Sequence, residues 1–426
     1  MTINDKNAIS PDKHPANNKT KSTTLIFSIL AVFAIAVILY NVFGTRSYQW
    51  QLSLGGDKYE QAYAVAPLSD GGYLTVGVTN SKGAGSNDIW VIKNAANGAT
   101  QWENVFGGPK WDIATSVIEV QSSASSENSD KAFLVFGSTS STENGDSDFG
   151  LLKLDQQGNL LWQKKYGNSG EEKGHVVLNS PDGGFILLGT VSNPSSGLNN
   201  ILVIKTDSQG QVLWKNIYGD DGEDYITTAQ LTSEGDIIFG GTNPTGNYNF
   251  WLNKIDSQGK LLWQSTAGTK SSDIATDLVI NTDGSIVMVG YNISNPTGLR
   301  ILMAVKFDAQ GQELWQKEYR ALYNQWSQAN AIVVSPNGGY VLAGKTKTAR
   351  QYDDAPHFEP WLIALDENGE KLWDTVHQQS GDHQVNDLQL TQDGGLILVG
   401  AHQNQEYQKK DDNLLIMKMD ARGKVE

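Results

Sequence analysis

Residues 151–167 read LLKLDQQGNLLWQKKYG, and residues 201–219 read ILVIKTDSQGQVLWKNIYG, which is nearly the same phrase. Further copies begin at Ile89, Phe250, Leu302 and Pro360, and a shorter copy begins at Leu414. A fixed period of about fifty residues indicates a repeat architecture in which each copy is one supersecondary unit. The content of a single repeat therefore decides the fold.

Tryptophan marks the period. The repeated positions are Trp50, Trp102, Trp162, Trp214, Trp263, Trp315 and Trp373. A glycine lies four residues before each of the last six, and an acidic residue lies ten residues after most of them. Two copies deviate, because Ser327 comes twelve residues after its tryptophan and His383 takes the acidic position of the last copy.

Each repeat also contains turn signals between short apolar runs. SDGGYLTVG (69–77) and PNGGYVLAG (336–344) place Asp-Gly or Asn-Gly ahead of such a run, which is a strong hairpin signal. ILVIKTD and its relatives are short and rich in β-branched residues, as buried strands are. One repeat is thus four strands, here named a to d, with the tryptophan on d. Such repeats predict an all-β fold, a β-propeller of four-stranded blades.

The number of blades follows from the chain ends. The last copy supplies strands a, b and c and then Gly423, so its tryptophan would fall at position 427, beyond Glu426. A matching strand, YQWQLSL, surrounds Trp50 near the other end. We therefore expect seven blades, with the N-terminal strand completing the last blade and removing two exposed sheet edges.

The segment ahead of the repeats has a different composition. Residues 25–43 carry no charge and are long enough to span a bilayer as a helix, and four lysines precede them. We predict a disordered cytoplasmic tail (1–23), a transmembrane signal anchor (24–44) and a propeller (45–426). The positive-inside rule then places a single-pass protein in the inner membrane with its propeller periplasmic or extracellular. A cleaved signal peptide, cut near Gly44, is the alternative.

Composition limits the chemistry. The 426 residues include no cysteine, which excludes disulfides, cysteine-ligated zinc and thiol catalysis. The formal net charge is −15, and the sequence contains no basic run, so we predict no nucleic-acid partner. The histidines at 377, 383 and 402 are interpreted as solvated loop residues. The acidic segments 143–149 and 219–225 have the carboxylate density of calcium loops without EF-hand spacing. We predict no metal site and no catalytic set.

The phrase xxKLDxxGxxxW resembles the tryptophan-docking repeat of PQQ-like propellers, and the wider pattern resembles exported bacterial DGG-repeat proteins. The resemblance covers residues 48–423 and implies that the repeated tryptophans pack between neighbouring blades. Quinoproteins of this superfamily hold a quinone with calcium, use an Asp base and have eight blades, often with a disulfide. This chain lacks cysteine and has seven predicted blades, so we expect no cofactor.

Departures from the repeat point to a functional surface. In a propeller, the d-to-a and b-to-c loops share one face. Both are enlarged in the sixth repeat, as YRALYNQWSQ (319–328) and KTKTARQYDDAPHFEP (345–360). An insertion at 121–131, on the opposite face, is interpreted as a flexible loop. Aromatic and arginine side chains are typical of interface centres. The predicted partner-binding residues are Arg320, Tyr323, Trp326, Arg350, Tyr352, Asp353, Asp354 and His357.

Two functions remain open. The first is a non-catalytic scaffold that presents this face to a protein partner in an envelope assembly. The alternative is a ligand-binding, hydrolytic or quinone-type propeller enzyme with its site at the mouth of the central channel. An enzyme should bring three or more ionisable side chains from different blades together at that mouth, whereas a scaffold should line it with ordinary repeat residues.

Overall fold

The computed structural model describes residues 49–121, 131–142, 145–167, 170–193, 195–219, 222–244, 248–294, 297–321, 326–348, 357–378, 381–404 and 411–425. The predicted tail and anchor lie outside these residues, as does the insertion at 121–131 except for its two end residues. Among the described residues there is no helix that is long and apolar enough to cross a membrane.

The described chain forms strands that follow one another in groups of four. The first half contains β1 (Trp50–Leu54), β2 (Glu60–Pro67), β3 (Tyr73–Thr79), β4 (Asp88–Asn94), β5 (Thr100–Phe106), β6 (Asp112–Gln121), β7 (Lys131–Thr139), β8 (Asp148–Asp155), β9 (Leu160–Tyr166), β10 (Glu172–Asn179), β11 (Phe185–Ser192), β12 (Asn199–Thr206), β13 (Val212–Tyr218) and β14 (Tyr225–Leu231).

The second half repeats the same pattern. It contains β15 (Ile237–Asn243), β16 (Asn249–Ile255), β17 (Leu261–Ala267), β18 (Ser272–Ile280), β19 (Ile286–Ser294), β20 (Leu299–Phe307), β21 (Glu313–Tyr319), β22 (Ser327–Val334), β23 (Tyr340–Thr348), β24 (His357–Leu365), β25 (Lys371–Val376), β26 (Asp382–Leu390), β27 (Leu396–Asn404) and β28 (Asp411–Met419).

These strands form seven four-stranded antiparallel sheets, which confirms the predicted seven-bladed propeller. Blade 1 is β2–β5, blade 2 is β6–β9, and the pattern continues to blade 6, β22–β25. Strand a of each blade lines the centre of the ring and strand d lies at the rim. The hairpin turns contain glycines with positive φ, such as Gly71 at 82° between a and b and Gly98 at 85° between c and d. Glycine adopts this conformation without the steric cost of a Cβ.

Blade 7 closes the ring as predicted. It comprises β26, β27, β28 and, at its rim, β1 from the other end of the chain. β1 and β28 pair antiparallel, with Trp50 opposite Lys418 and Leu54 opposite Leu414. The backbone hydrogen bonds of β1 are therefore satisfied by residues more than 350 positions away. The two ends thus lock each other in place.

The cores lie between blades. Each of seven clusters of buried apolar side chains combines residues from two adjacent blades, and the cluster at the seam unites blade 1 with blade 7. Strands b and c supply most of these residues, because both of their faces are covered. β3 and β4, for example, are buried along their whole length. Strand d alternates between exposed and half-buried positions, as β5 does.

The repeated tryptophans dock onto the next blade, as the family resemblance implies. Trp102 Nε1 donates to the Gln156 carbonyl of blade 2 at 3.0 Å. A Cβ on Gly158, in the same c–d turn, would lie 2.9 Å from the Trp102 ring. Equivalent close approaches join Gly98 to Trp50 and Gly311 to Trp263. The glycine that precedes each tryptophan thus leaves space for the tryptophan ring of the previous repeat.

The repeated acidic residue has a structural role. Glu60 is fully buried, and its carboxylate accepts hydrogen bonds from the backbone N–H groups of Gly56 at 2.8 Å and Ser81 at 3.0 Å. Asp112 accepts from the Gly108 N–H at 2.8 Å in the same way. These carboxylates satisfy donors in the d-to-a loops that join one blade to the next and, in the case of Glu60, also in the b-to-c loop of its own blade. They are not available for catalysis.

Candidate functional site: an aromatic cluster and the central channel

The two enlarged loops of the sixth repeat meet at a pair of aromatic rings. Trp326 ends the first loop and Phe358 follows the second, and their ring centroids are 4.6 Å apart with the planes tilted by 59°. The Trp326 carbonyl accepts hydrogen bonds from Thr346 Oγ1 and from the Lys347 N–H, both at 3.1 Å. Strand β23 therefore fixes the position of Trp326. The predicted sharing of one face by these loops is confirmed for their described ends.

Cations surround this aromatic pair. The Arg300 guanidinium lies 4.8 Å from the Trp326 ring centre and 4.6 Å from that of Tyr291. Lys345 Nζ lies 4.9 Å from the Phe358 ring, and Lys347 Nζ lies 5.7 Å from the same ring. A cation over an aromatic face is stabilised by about 0.5–2 kcal/mol, depending on its exposure. We call Tyr291, Arg300, Trp326, Lys345, Lys347 and Phe358 the Trp326 cluster.

The electrostatics of the Trp326 cluster favour an anion. Burial lowers the pKa of Lys345, and the positive charge of Arg300 lowers it further, while Asp382 acts in the opposite direction. Asp382 Oδ1 accepts the Phe358 N–H at 2.8 Å. Arg300 Nη1 donates to the Gln328 amide oxygen at 2.8 Å. Arg300 and Lys345 thus repel each other, and Lys347 lies over the same Phe358 ring as Lys345. An added negative group would relieve the repulsion between Arg300 and Lys345.

The predicted partner-binding residues are only partly described. Trp326 is at the centre of the cluster, and buried His357 lies beside Phe358 with its Nδ1 3.7 Å from Asp382 Oδ1. Arg320 is exposed, and its guanidinium lies 3.8 Å from Glu318, away from the contacts of the cluster. Tyr323, Arg350, Tyr352, Asp353 and Asp354 lie outside the described residues.

Sequence reasoning missed Arg300, because it belongs to strand c of blade 5 and not to an enlarged loop. Strand pairing aligns it with one residue of every other blade, and none of those is basic. The aligned residues are Asn87, Ser147, Asn199, Tyr248, Phe358 and Asp412. A basic residue at a position that is neutral or acidic elsewhere is the signal that would have identified it.

The centre of the ring holds a second candidate site, a cavity of about 550 Å³ lined by strand a of all seven blades. Every strand a has a bulge at the same place, where its pairing with strand b shifts by one residue. A bulge re-aims one side chain and is often found at functional sites. The bulged residues, all lining the cavity, are Tyr63, Thr115, His175, Thr227, Thr276, Asn330 and Asn386.

Most bulged residues bind the next blade. Thr115 Oγ1 donates to the Gly174 carbonyl at 2.9 Å, and Thr276 Oγ1 donates to the Ala329 carbonyl at 3.0 Å. The Asn386 amide donates to the Ala62 carbonyl at 2.6 Å across the seam. Asn330 makes the equivalent contact with the Val385 carbonyl. Thr227 instead donates to Gly240 of its own blade. These hydrogen bonds tie the inner strands together at four of the seven junctions between blades.

The residue after the bulge often accepts a second hydrogen bond from the next blade. Asp277 accepts the Ile332 N–H, and Asp387 accepts the Val65 N–H, both at 2.9 Å. Ser116 accepts the Val177 N–H at 3.2 Å. Burial, together with the charge of Asp387, raises the pKa of Asp277 to about 7 despite these hydrogen bonds. Burial likewise raises the pKa of Asp387.

Blades 1 and 3 depart from this pattern. Their bulged residues are Tyr63 and His175, and the residues that follow, Ala64 and Val176, have no polar side-chain atom. His175 makes no hydrogen bond to any residue that the structure describes. Burial and the nearby Lys173 lower the pKa of His175 to about 4, so its imidazole is neutral at physiological pH. Tyr63 is close to the Tyr59 hydroxyl, whose pKa is raised by burial and by Tyr63.

The channel has the number of ionisable side chains that is expected of an enzyme, namely three or more from different blades. His175 on blade 3, Asp277 on blade 5 and Asp387 on blade 7 all line the cavity. Both carboxylates, however, accept backbone N–H groups and hold blades together, which leaves His175 and Tyr63 as the ionisable residues of the described wall without such a role.

The acidic segments and the histidines of the last repeat are described in part. Within the described residues, no three His, Asp or Glu side chains are arranged to hold a metal ion. Asp224, in the acidic segment 219–225, accepts the Asn243 amide at 2.7 Å and so has a structural role. The interpretation of His383 and His402 as solvated loop residues is wrong. They face each other on β26 and β27, their rings stack 4.5 Å apart, and His383 is buried.

No known protein family and no curated protein matches the chain. Among solved structures, it is similar to a fungal alcohol oxidase of the AA5 family in complex with copper. The identity is 11% over 87% of this chain and 76% of the oxidase, with a TM-score of 0.48. It is also similar to a protein of unknown function from Dyadobacter fermentans, at 10% identity over 88% of this chain and 98% of that protein, with a TM-score of 0.47. At such identities and TM-scores the likeness gives no information about function. The resemblance to PQQ-like repeats stays a prediction.

Proposed function

We propose that the protein is a membrane-anchored interaction module, a non-catalytic scaffold that uses the loop-rich face of its propeller to bind a protein partner in the cell envelope. The anchor and the outward orientation of the propeller rest on the uncharged segment 25–43 and the lysines before it. The binding role rests on the Trp326 cluster.

The cluster has the composition of an interface centre. Trp, Tyr and Arg are enriched among residues whose truncation weakens protein complexes most, and such residues lie in the middle of a contact surface. Trp326 and Phe358 supply apolar area, and Arg300 and Lys345 supply charge at fixed positions above the rings. Arg300 is further held by Gln328, which reduces the side-chain entropy lost on binding.

Charge favours an acidic partner segment. Because the chain is acidic overall, long-range forces repel an acidic partner from most of the propeller and attract it only to local basic sites. The convergence of Arg300, Lys345 and Lys347 provides such a site. A peptide with carboxylates next to an apolar side chain would match both the cations and the rings.

The test is co-purification of the full-length chain from detergent-solubilised membranes. Arg300→Gln with Lys345→Gln removes two charges but keeps the aromatic pair. The matched control, Lys82→Gln with Lys110→Gln, removes two charges from loops on the same face of the ring near blade 1. We expect the cluster variant to lose at least tenfold of the recovered partner, as removal of interface-centre residues does, and the control to retain it.

Two results would refute the proposal. In the first, the cluster variant recovers every partner that the wild-type chain recovers. In the second, both variants lose the partner equally, which would show that net charge and not this surface determines binding. Thermal unfolding of each variant establishes that the propeller remains folded.

A further inference from the structure

We infer that the central channel is a second binding site, independent of the Trp326 cluster, for a neutral hydroxyl-rich small molecule of the saccharide or polyol class. Its volume of about 550 Å³ lies within the range of about 300–1,000 Å³ that is usual for small-molecule pockets. Its wall combines apolar side chains, such as those of Val65, Ile118 and Val177, with polar side chains from all seven blades.

The side chain at the bulge of strand a does not have the same role in every blade. At four blades the bulged side chain donates a hydrogen bond to the next blade, and this stabilises the ring. In blade 4 Thr227 bonds within its own blade instead, and blades 1 and 3 also lack the bond to the next blade. At the same positions they place Tyr63 and His175, larger side chains with polar tips, against the cavity. Tyr63 interacts with Tyr59 of its own blade, whereas His175 gains no hydrogen bond among the described residues. A departure from a local structural rule that gains no contact in the fold is expected at a functional site.

The hydrogen-bonding groups of His175 also point to a ligand. The imidazole lines the cavity, and no residue that the structure describes hydrogen-bonds to it. Since it is neutral, one ring nitrogen donates and the other accepts. A ligand hydroxyl can satisfy either nitrogen, because a hydroxyl both donates and accepts. His175 is half-buried in the cavity wall, and a bound hydroxyl or water there would supply the hydrogen bonds that the described residues do not.

Charge then selects the class of ligand. No lysine or arginine is among the described residues that line the cavity, whereas Asp277 and Asp387 are. Anionic ligands would be repelled by these carboxylates and would find no cation to bind. The remaining groups are hydroxyls, amides and an imidazole, which suit a molecule with several hydroxyl groups. Tyr63 adds an aromatic ring of the kind on which the apolar face of a sugar can pack.

The experiment uses the full-length chain in detergent with histidine labelled by a nitrogen isotope. Glucose, N-acetylglucosamine and inositol are the neutral probes, glucuronate is the anionic counterpart and glucosamine the cationic one. Of the six histidines, His175 is assigned by the signal that disappears in His175→Leu. We expect a neutral probe to shift the His175 signal saturably, and glucuronate to have no effect.

Calorimetric titration of the same probe with variants completes the test. His175→Leu and Tyr63→Phe should each weaken binding at least tenfold, while His377→Gln, a control histidine outside the cavity lining, should leave it unchanged. The inference fails if no neutral probe binds, if only glucosamine or only glucuronate binds, or if both channel variants bind like the wild-type chain. Tyr63→Phe removes one hydroxyl, so it keeps the test valid should His175→Leu not fold. Partner co-purification is measured separately, so a failure to recover a protein partner would not change the outcome of these titrations.

Discussion

Trp50 and Gly98 touch across the seam that closes the ring. Trp50 lies on β1, the rim strand of blade 7, and Gly98 lies in the c–d turn of blade 1. The Trp50 indole donates to the Ala96 carbonyl at 3.0 Å, and a Cβ on Gly98 would lie only 2.7 Å from the indole ring. The contact thus needs both a tryptophan and a residue with no side chain.

This contact predicts a large penalty for Gly98→Ala. The substitution places a methyl group against the indole and also forces alanine into a positive φ of 85°. Gly71→Ala is the matched control, because its φ is 82° and its added Cβ would meet nothing within 4 Å. The control should lose about 1–2 kcal/mol of unfolding free energy from the backbone alone. Gly98→Ala should lose clearly more in urea denaturation. Equal losses would show that the seam tolerates the methyl group.

The closure of blade 7 predicts a sharp boundary for N-terminal truncation. Removal of residues 1–44 keeps β1, and the propeller should be soluble and folded. Removal of residues 1–56 deletes β1 and leaves β28 as an unpaired edge, which should promote aggregation. Size-exclusion chromatography distinguishes the two. A stable monomer from the longer truncation would mean that β1 is dispensable.

Replacement of the seam tryptophan should be as damaging as replacement of an internal one. Trp50 and Trp214 occupy equivalent rim positions, so Trp50→Ala and Trp214→Ala should each cost about 3–5 kcal/mol, as large-to-small core changes do. The measurement is the unfolding free energy in urea. If Trp50→Ala were nearly neutral while Trp214→Ala was not, blade 7 would not depend on its borrowed strand.

The raised pKa of Asp277 predicts a pH dependence of stability. The pKa of Asp277 is about 7 in the folded chain, whereas the ordinary pKa of an aspartate is 3.8, so the folded state holds an extra proton between these pH values. The contribution of Asp277 to stability is therefore greatest below pH 4. It falls as the pH rises to about 7 and is constant above that.

The measurement compares the wild-type chain with Asp277→Asn by urea denaturation at several pH values. The stability of the wild-type chain relative to the variant should decrease from pH 4 to 7 and then level off. Glu367→Gln, an exposed carboxyl on a c–d turn of blade 6, is the control for the loss of one charge. A difference that rises with pH would contradict the assigned direction.

The proposed orientation is tested with reporters fused after Glu426. Because lysines precede segment 25–43, we expect a reporter enzyme that works only outside the cytoplasm to be active. A cytoplasm-only reporter should be silent at the same site. Activity of the cytoplasmic reporter would overturn both the orientation and the envelope location.

Much of the fold could be predicted because the repeat is periodic in residues with strong local roles. Asp-Gly turns, β-branched runs and a tryptophan on each rim strand identify the blade, and the missing partner of β28 identifies the closing role of Trp50. The role of Gly158 was partly hidden. Its spacing to Trp162 was visible, but its contact is with Trp102 of the preceding blade.

The candidate sites were harder to predict because they combine residues far apart in the chain. Arg300 and Trp326 come together only when blades 5 and 6 pack side by side. The channel residues required knowledge of the bulge, which is a shift in pairing that a single strand does not reveal. His175 looks like an ordinary strand residue until the bulge is located.

The borrowed strand also sets an order of events during synthesis. β1 is the first strand of the propeller to be made, and its partner β28 is the last. Until β28 emerges, β1 has no edge to pair with, and blades 1 to 6 can assemble only as an open arc. Pairing over so long a stretch of chain is intrinsically slow. The ring can therefore close only after translation has reached the final blade. A chain that stops earlier keeps an unpaired strand edge, which chaperones and proteases can recognise.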